Sequence, residues 1–180
     1  MVKDILTYPN PILRKKSKDV VEFNNELHQV LDDMKETMDY ASGVGLAGVQ
    51  IGVLLNILII NIPVEDPNNP QEDIQLDENL IEAINPKITH KDGEIVFTEG
   101  CLSIPDIHED VTRANHVIVE YQDRYGKTCT MEAEGFLAVA WQHEMEHLSG
   151  HVFIDNFSFM KRKKFEKEWK KRLKEQKKSK

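Results

Sequence analysis

The sequence predicts a single-domain α+β fold, with mixed or antiparallel β-sheets around a central helix and a basic helix at the C-terminal end. The 180 residues suit one domain with its own core, since 40% are hydrophobic and 30% are charged. A helical pattern comes first, short strand-like runs follow, and helical patterns return near the end. Strands and helices do not alternate regularly, so a parallel βαβ architecture is not expected.

The first predicted element is an amphipathic helix over residues 24–40. Asn24 or Asn25 is a good N-cap, because its side-chain oxygen can accept from a free backbone N–H. We expect the helix to pack on the core through one apolar stripe at helical spacing, formed by Leu27, Leu31, Met34 and Met38.

A glycine-rich stretch, residues 43–52, precedes a predicted buried strand from Val53 to Ile62. This run is dense in branched apolar residues and is stopped by Pro63. Residues 63–79 contain three prolines and many acids. That composition predicts a surface loop.

The middle of the chain predicts short strands joined by turns. The turn residues Tyr125 and Gly126 indicate a hairpin between the last two strands. The predicted strands cover residues 81–88, 94–98, 116–122 and 128–133.

Helical spacing returns in two segments near the end of the chain. The first covers residues 136–149 and is followed by Gly150, a typical C-cap residue. The second runs from Ser158 to about Lys178 and is strongly basic. Its narrow apolar stripe, at steps of four, consists of Phe165, Trp169 and Leu173.

Charge is distributed unevenly along the chain. Residues 161–180 contain 12 Lys and Arg against 3 Asp and Glu, a net charge of +9. Residues 1–160 contain 11 against 28, a net charge of −17. We therefore predict an acidic body over 1–160 and a basic helical extension of the same domain over 161–180. The acidic body disfavours nucleic acid, and no DNA partner is expected.

Targeting and membrane signals are missing from the sequence. The longest apolar run, 53–62, has half of the roughly 20 residues that a spanning helix needs. The N-terminus lacks a basic segment followed by an apolar one. Two cysteines, Cys101 and Cys129, fit a reducing compartment. These features predict a cytoplasmic protein with no membrane partner.

The sharpest local signal is the run His143-Glu144-Met145-Glu146-His147. On a helix, positions i and i+4 lie on one face, so His143 and His147 can bind the same metal. Glu144 then lies beside the open coordination position, where a carboxylate can take a proton from water. The alternative for the motif alone is a solvated histidine pair.

The sequence leaves several candidates for a third ligand. A histidine six residues after His147 would suit one family of metallopeptidases, but that position is Phe153 and His151 is out of register. Glu166 and Glu168 would suit another family, although both lie in a cationic segment. Upstream, the run Glu99-Gly100-Cys101-Leu102-Ser103 offers a thiolate, which is a strong metal ligand.

A third pattern is the glycine-rich run Gly43-Val44-Gly45-Leu46-Ala47-Gly48-Val49-Gln50. Alone it indicates only a turn before a strand. The three runs together, G-x-G-L-A-x-x-Q, E-G-C-L-S and Q-H-E-x-x-H, in this order and at these separations, resemble the three motifs of the peptide deformylases. The resemblance extends from Tyr8-Pro9 to the last helix.

The resemblance implies an enzyme that removes the formyl group from polypeptides beginning with formyl-methionine. It implies one divalent metal, Fe2+ in the family, with Zn2+, Ni2+ or Co2+ as substitutes, on Cys101, His143 and His147. Glu144 would accept a proton from water and deliver it to the leaving amine. The oxyanion donors would be the Gln50 side chain and the Leu102 backbone N–H.

Substrate contacts are predicted on both sides of the metal. Val139 and Ala140 precede His143 by four and three residues on the same helix face and are predicted to wall the methionine pocket, with core packing as the alternative. The peptide backbone is predicted to lie along three residues like an added strand, namely Val44, Gly45 and Gly100.

Two positions depart from the family's motifs, and His108 replaces an arginine that many relatives carry near the substrate. Gly48 stands where alanine is usual, and Glu146 where aspartate is usual. Neither is a ligand position. A carboxylate at 146 could pair with Arg113 and join the two ligand-bearing segments, or it could be exposed.

The basic extension 161–180 is predicted to project from the acidic body and to dock on the ribosome, because lysine and arginine neutralise RNA phosphates. Its apolar stripe of Phe165, Trp169 and Leu173 is expected to anchor one side of the helix on the body or to contact a ribosomal surface, and a solvated tail that binds nothing is the alternative. The family resemblance supports the docking role. Truncation of 161–180 is expected to leave hydrolysis of a short formyl peptide intact, and the protein is expected to be a monomer. Two alternatives stay open: another metallopeptidase of the His-Glu-x-x-His type, and a non-enzymatic RNA-binding protein.

Overall fold

A computed structural model describes residues 1–178. Within this range it contains three α-helices, α1 (Asn25–Tyr40), α2 (Gly135–Leu148) and α3 (Phe159–Lys178). The nine strands of the same range are β1 (Gly45–Ala47), β2 (Ile57–Ile60), β3 (Val64–Asp66), β4 (Asn69–Ile74), β5 (Ile81–Asp92), β6 (Ile95–Cys101), β7 (Ile104–Arg113), β8 (His116–Gln122) and β9 (Thr128–Glu134).

Three antiparallel sheets organise the strands. The largest has the order β1-β2-β5-β8-β9, and the hairpins β3–β4 and β6–β7 form separate two-stranded sheets. Helix α2 contacts both the large sheet and β6. The α+β class and the central helix are therefore confirmed.

The predicted helices match closely. The Asn24 side chain accepts from the backbone N–H of Leu27 at 3.1 Å, which caps α1. The predicted stripe of α1 is buried against Ile57 and Ile59 of β2. After α2, Gly150 has a φ of +78°, and a Cβ there would lie 2.5 Å from the carbonyl oxygen of Arg14. A glycine is needed at this position, which follows the C-cap residue Ser149, for both reasons.

The strand predicted over 53–62 is shorter than expected. Only Ile57–Ile60 pair in the large sheet, where they are fully buried between β1 and β5. Residues before them bond elsewhere: Lys18 N–H donates to Leu54 O, and Asn56 N–H donates to Lys18 O. The backbone of Lys18, distant in sequence, thus provides the hydrogen-bond partners of Leu54 and Asn56 in place of a neighbouring strand of the sheet.

Two further differences concern polar strands. The predicted loop 63–79 contains the exposed hairpin β3–β4, whose turn is stabilised by Asn68 N–H donating to Asp66 Oδ1 at 2.8 Å. Strand β7 was not predicted, since its charged residues and Pro105 hide the alternation of an edge strand. Strand β6 was predicted too short, and it continues to Cys101.

Helix α3 lies against the body and does not project from it, contrary to the sequence-based expectation. Phe165 is 5% exposed and Trp169 is 7% exposed. The Trp169 indole Nε1–H donates to the carbonyl oxygen of Tyr8 at 3.0 Å, and the Tyr8 ring contacts Phe165 at 5.7 Å between centroids. Phe165 and Trp169 belong to the same buried core cluster as Ile104 of β7, and Leu173 packs against that cluster.

Two other predictions concern the basic extension and membrane spanning. Residues 179–180 of the extension 161–180 lie outside the described residues. No helix within residues 1–178 combines the length and the apolar character that membrane spanning requires.

Candidate metal centre

The structure brings three ligand side chains together at the centre of the molecule. Cys101 ends β6, and His143 and His147 lie one turn apart on α2. One ligand atom of each lies within 4.8 Å of the others, and Cys101 Sγ is 3.4 Å from His147 Nε2. Cys101 is therefore the third ligand, which settles the alternatives that the sequence left open. Glu166, a rejected candidate, pairs with Arg162 on α3.

The local backbone explains why Cys101 reaches the histidines. The register of β6 against β7 shifts between Gly100 and Cys101. Such an irregularity re-aims the side chain that follows it. Helix α2 is buried on most sides, and His143 and His147 are 7% and 1% exposed. The half-buried Cys101 and the two buried imidazoles thus meet side by side.

His143 is oriented by a carboxylate on the neighbouring hairpin. Glu99 Oε2 lies 2.8 Å from His143 Nδ1, which leaves Nε2 for a metal. Arg113 donates to both oxygens of Glu99, with Nη2 at 2.9 Å from Oε2. Burial opposes ionisation of Glu99, but the hydrogen bonds from His143 and Arg113 outweigh it and hold the pKa of Glu99 below its usual value.

The predicted pairing of Glu146 with Arg113 is confirmed. Arg113 Nη1 donates to Glu146 Oε1 at 2.8 Å and Nη2 donates to Oε2 at 3.2 Å. Asn156 Nδ2 donates to the same carboxylate at 3.0 Å. Because Arg113 also bonds Glu99, one guanidinium connects the hairpin that carries Cys101 with the helix that carries both histidines.

Glu144 is buried between α2 and β1. A Cβ at Gly45 would lie 2.5 Å from Glu144 Oε1, so the absence of a side chain at 45 makes room for this carboxylate. Among the described residues, Glu144 Oε2 has no hydrogen-bond partner. Burial raises the pKa of Glu144 to about 7. The group is therefore poised to accept and release a proton near neutral pH.

His147 is the more deeply buried of the two histidines. Burial holds its pKa well below the usual value. A neutral imidazole is the form that coordinates metal.

Gln50 presents its amide nitrogen to the site. Its Oε1 accepts from Ala47 N–H at 2.8 Å, which fixes the orientation of the amide. Its Nε2 donates to Ser103 Oγ at 3.1 Å and lies 3.8 Å from Cys101 Sγ. The first and second motifs thus meet beside the metal ligand.

An open cleft of about 530 Å³ adjoins the ligands. Five predicted donor or substrate residues line it, together with Cys101, His143 and Glu144. These five are Gln50, Leu102, Val44, Gly45 and Gly100. His108 lines it as well, and a Cβ at Gly100 would lie 3.0 Å from the His108 ring.

Two predicted pocket residues lie elsewhere. Val139 and Ala140 are 2% and 5% exposed on α2, and the residues that line the cleft in the described part of the chain do not include them. Ala140 belongs to the core cluster with Trp141 and Val119. Their role toward a methionine side chain stays a prediction.

Sequence reasoning missed the partnership of Glu99 with His143 and that of Ser103 with Gln50. Glu99 and Ser103 belong to the second motif, which the sequence already singles out. Their partners are 44 and 53 residues away in the chain, so no local pattern indicates the pairing. Only the packing of β6 against α2 and of its following turn against Gln50 brings these pairs together.

Comparison with known proteins agrees with this geometry. The family model described as polypeptide deformylase matches residues 2–163. The peptide deformylase of Wolinella succinogenes is 55% identical over 168 residues, covering 93% of this chain and 95% of the relative. That of Campylobacter jejuni is 51% identical over the full length of both chains. The crystal structure of a peptide deformylase from Legionella pneumophila superposes with a TM-score of 0.83 at 38% identity, covering 97% of this chain and 98% of that one. The chain belongs to the polypeptide deformylase family.

Proposed function

We propose that the chain removes the formyl group of N-terminal formyl-methionine with the residues of this centre in defined roles. Membership of the family makes it a peptide deformylase, and the Cys101, His143 and His147 metal site is present. The observation that carries the roles is the placement of Glu144 and Gln50 at the same cleft as these ligands.

The donor set fits a divalent metal with an open position. One thiolate and two imidazoles are three protein ligands, as in catalytic sites, and their atoms lie within 4.8 Å of one another. Such a metal would polarise the formyl carbonyl and acidify water. We propose Fe2+ as the natural metal, with Zn2+, Ni2+ or Co2+ as substitutes, since thiolate and imidazole ligands suit all of them.

Glu144 is proposed to move the proton. Its carboxylate accepts a proton from the attacking water and delivers it to the amine that leaves the formyl carbon. A pKa of about 7 suits both steps, because each protonation state is then accessible. Gly45 leaves room for the carboxylate, since a Cβ at this position would overlap it.

Gln50 and Leu102 are proposed to stabilise the oxyanion. The Gln50 amide is fixed before substrate arrives, since Ala47 and Ser103 hold its two ends. The Leu102 backbone N–H directly follows the Cys101 ligand at the end of β6. Donors fixed in advance need no reorganisation during the reaction.

The peptide is proposed to bind along Val44, Gly45 and Gly100 as an added strand. Support comes from β1, which begins at Gly45 and is an edge strand of the large sheet. Main-chain bonds to such an edge give affinity without strong sequence choice. We propose that Val139 and Ala140 shape the methionine pocket from behind the lining residues.

Appearance of the free N-terminal amine from formyl-Met-Ala-Ser, measured without oxygen on the Fe2+-loaded protein, tests the proposed activity. The acetyl-Met-Ala-Ser peptide is the matched control. Turnover of the formyl peptide alone is expected. Equal turnover of both peptides would contradict the assignment, because a general amide hydrolase would accept each of them.

We also propose that α3 binds the ribosome while it remains packed on the body. Its buried stripe leaves lysines on the solvent side, namely Lys163, Lys164, Lys167, Lys170, Lys171 and Lys174. An exposed cationic face suits RNA phosphates. The protein is proposed to act in the cytoplasm as a monomer.

Substitution of four of these lysines by glutamine tests the docking role without loss of the apolar stripe. The variant Lys164→Gln, Lys167→Gln, Lys170→Gln, Lys174→Gln should keep peptide hydrolysis and lose salt-sensitive co-sedimentation with ribosomes. A variant with four exposed body lysines replaced, Lys15, Lys16, Lys87 and Lys127, is the control and should still co-sediment. Equal co-sedimentation of the two variants would contradict the role of α3.

A further inference from the structure

A second group of metal-ligating side chains lies on the large sheet, apart from the site described above. It consists of His90 and Asp92 on β5 and His116 on β8, and one ligand atom of each lies within 4.8 Å of the others. None of these residues belongs to the three motifs. The catalytic centre therefore does not explain why they converge.

The sheet geometry places the three side chains on one face. Asp92 is opposite His116 in the antiparallel register, so both point to the same side. The next residue of β8, Val117, points the other way into the core beside Trp141 of α2. The cluster thus occupies the face of β8 that is turned away from α2.

A strand irregularity adds His90 to this face. The register of β5 against β8 shifts between Ile88 and His90. Ile88 pairs with Val119 and packs on the core, whereas His90 pairs with Ile118. Without the shift, residues two apart would share one face, and His90 would point inward with Ile88.

The distances suit coordination. Asp92 Oδ2 lies 2.6 Å from His90 Nε2 and 3.3 Å from His116 Nδ1. Atoms bound to a tetrahedral Zn2+ at about 2.0–2.1 Å are separated by roughly 3.4 Å. Small side-chain adjustments would therefore admit an ion, and the exposure of His90 and Asp92, 51% and 58%, leaves room for them and for water.

A fourth residue orients the ring of His116. Glu132 Oε1 on β9 lies 2.7 Å from His116 Nε2. A carboxylate that accepts from one ring nitrogen fixes the orientation of the ring, and the other nitrogen binds an ion by giving up its proton. Here the other nitrogen is Nδ1, the atom that faces Asp92. This carboxylate–histidine arrangement is the usual outer shell of a zinc ligand.

We propose that His90, Asp92 and His116 form a second metal site that takes a divalent transition-metal ion, with Glu132 as the positioning residue. The ligands are His90 Nε2, Asp92 Oδ2 and His116 Nδ1, and water completes the coordination. Two imidazoles and a carboxylate favour Zn2+ and neighbouring metals over Mg2+ or Ca2+. A bound ion would connect β5 to β8.

Metal counting on the holoenzyme tests the site. The protein with its catalytic centre loaded is equilibrated with Zn2+ by dialysis, and total metal per chain is measured. Wild type should retain one equivalent more than His90→Ala/His116→Ala. The matched control His28→Ala removes a half-buried histidine that contacts Arg124 O, away from the cluster, and should retain the wild-type amount.

Peptide hydrolysis shows that the double variant is folded, since none of its changed residues lies in the catalytic centre. Glu132→Ala should weaken Zn2+ binding about ten- to a hundredfold, whereas Glu120→Ala, an exposed change on β8, should not. Equal metal content in wild type and the folded double variant would overturn the proposal. Unchanged Zn2+ affinity in Glu132→Ala would overturn the positioning role.

Discussion

Gly45 and Glu144 are in such close contact that a methyl group at position 45 would lie 2.5 Å from Glu144 Oε1. The first sequence motif therefore positions the carboxylate of the third motif by leaving out a side chain. Glycine at this position serves packing against Glu144 as well as the predicted approach of the peptide backbone.

Gly45→Ala should displace Glu144 and leave the metal ligands in place. We expect kcat/KM for formyl-Met-Ala-Ser to fall by about a hundredfold, the size of a lost general base. Metal content, measured on the same preparation, should stay at the wild-type value. Full activity in this variant would show that Glu144 does not depend on the contact.

The pH dependence of the reaction follows from the ionisation of Glu144. Only its carboxylate can accept a proton, so activity is lost as the pH falls through the pKa of this group. Burial raises that pKa to about 7, and a cation on the neighbouring ligands lowers it again. A profile of kcat/KM should therefore show an acid limb with its midpoint at or below about pH 7. A midpoint well above pH 7 would contradict the role.

Glu146→Ala tests the connection through Arg113. The change removes one of two carboxylates from a guanidinium whose side chain is 4% exposed. Arg113 Nη1 then loses its partner, while Nε and Nη2 keep Glu99. A buried donor without a partner costs about 1–3 kcal/mol, measured by urea denaturation. Glu146→Asp keeps the charge and is the control, with a smaller expected loss. Equal stability of wild type and Glu146→Ala would mean that the pair contributes nothing.

Trp169→Ala tests the packing of α3. The indole is 7% exposed and donates to Tyr8 O, so its loss should cost about 3–5 kcal/mol of unfolding free energy. Lys170→Ala, an exposed neighbour, should change stability little. A large loss of stability in Trp169→Ala would mean that truncation of 161–180, which removes Phe165 as well as Trp169, also impairs peptide hydrolysis. An unchanged urea midpoint in Trp169→Ala would instead support the expectation that truncation leaves hydrolysis intact.

The sequence predicted the parts of the fold that depend on local patterns. The cap at Asn24, the ends of α2 and the start of α3 follow from residues close to one another in the chain. Strand β7 and the hairpin β3–β4 did not, because their charged and polar residues give no clear alternation.

His143 and His147 were predictable as metal ligands from their i, i+4 spacing, whereas Cys101 was assigned through the family resemblance. The partnership of Glu99 with His143 was not predictable, since it depends on how β6 packs against α2. The same holds for the second cluster, where a register shift in β5 brings His90 beside His116. Tertiary register of this kind leaves no local signal in the sequence.

The most direct test of the mechanism compares formate release by wild type and Glu144→Gln, each loaded with Ni2+. Glutamine is close in size but cannot accept the proton, so the variant should keep its metal and hydrolyse formyl-Met-Ala-Ser at least about a hundredfold more slowly. Formate release at the wild-type rate by the loaded variant would contradict the role of Glu144 at this metal centre.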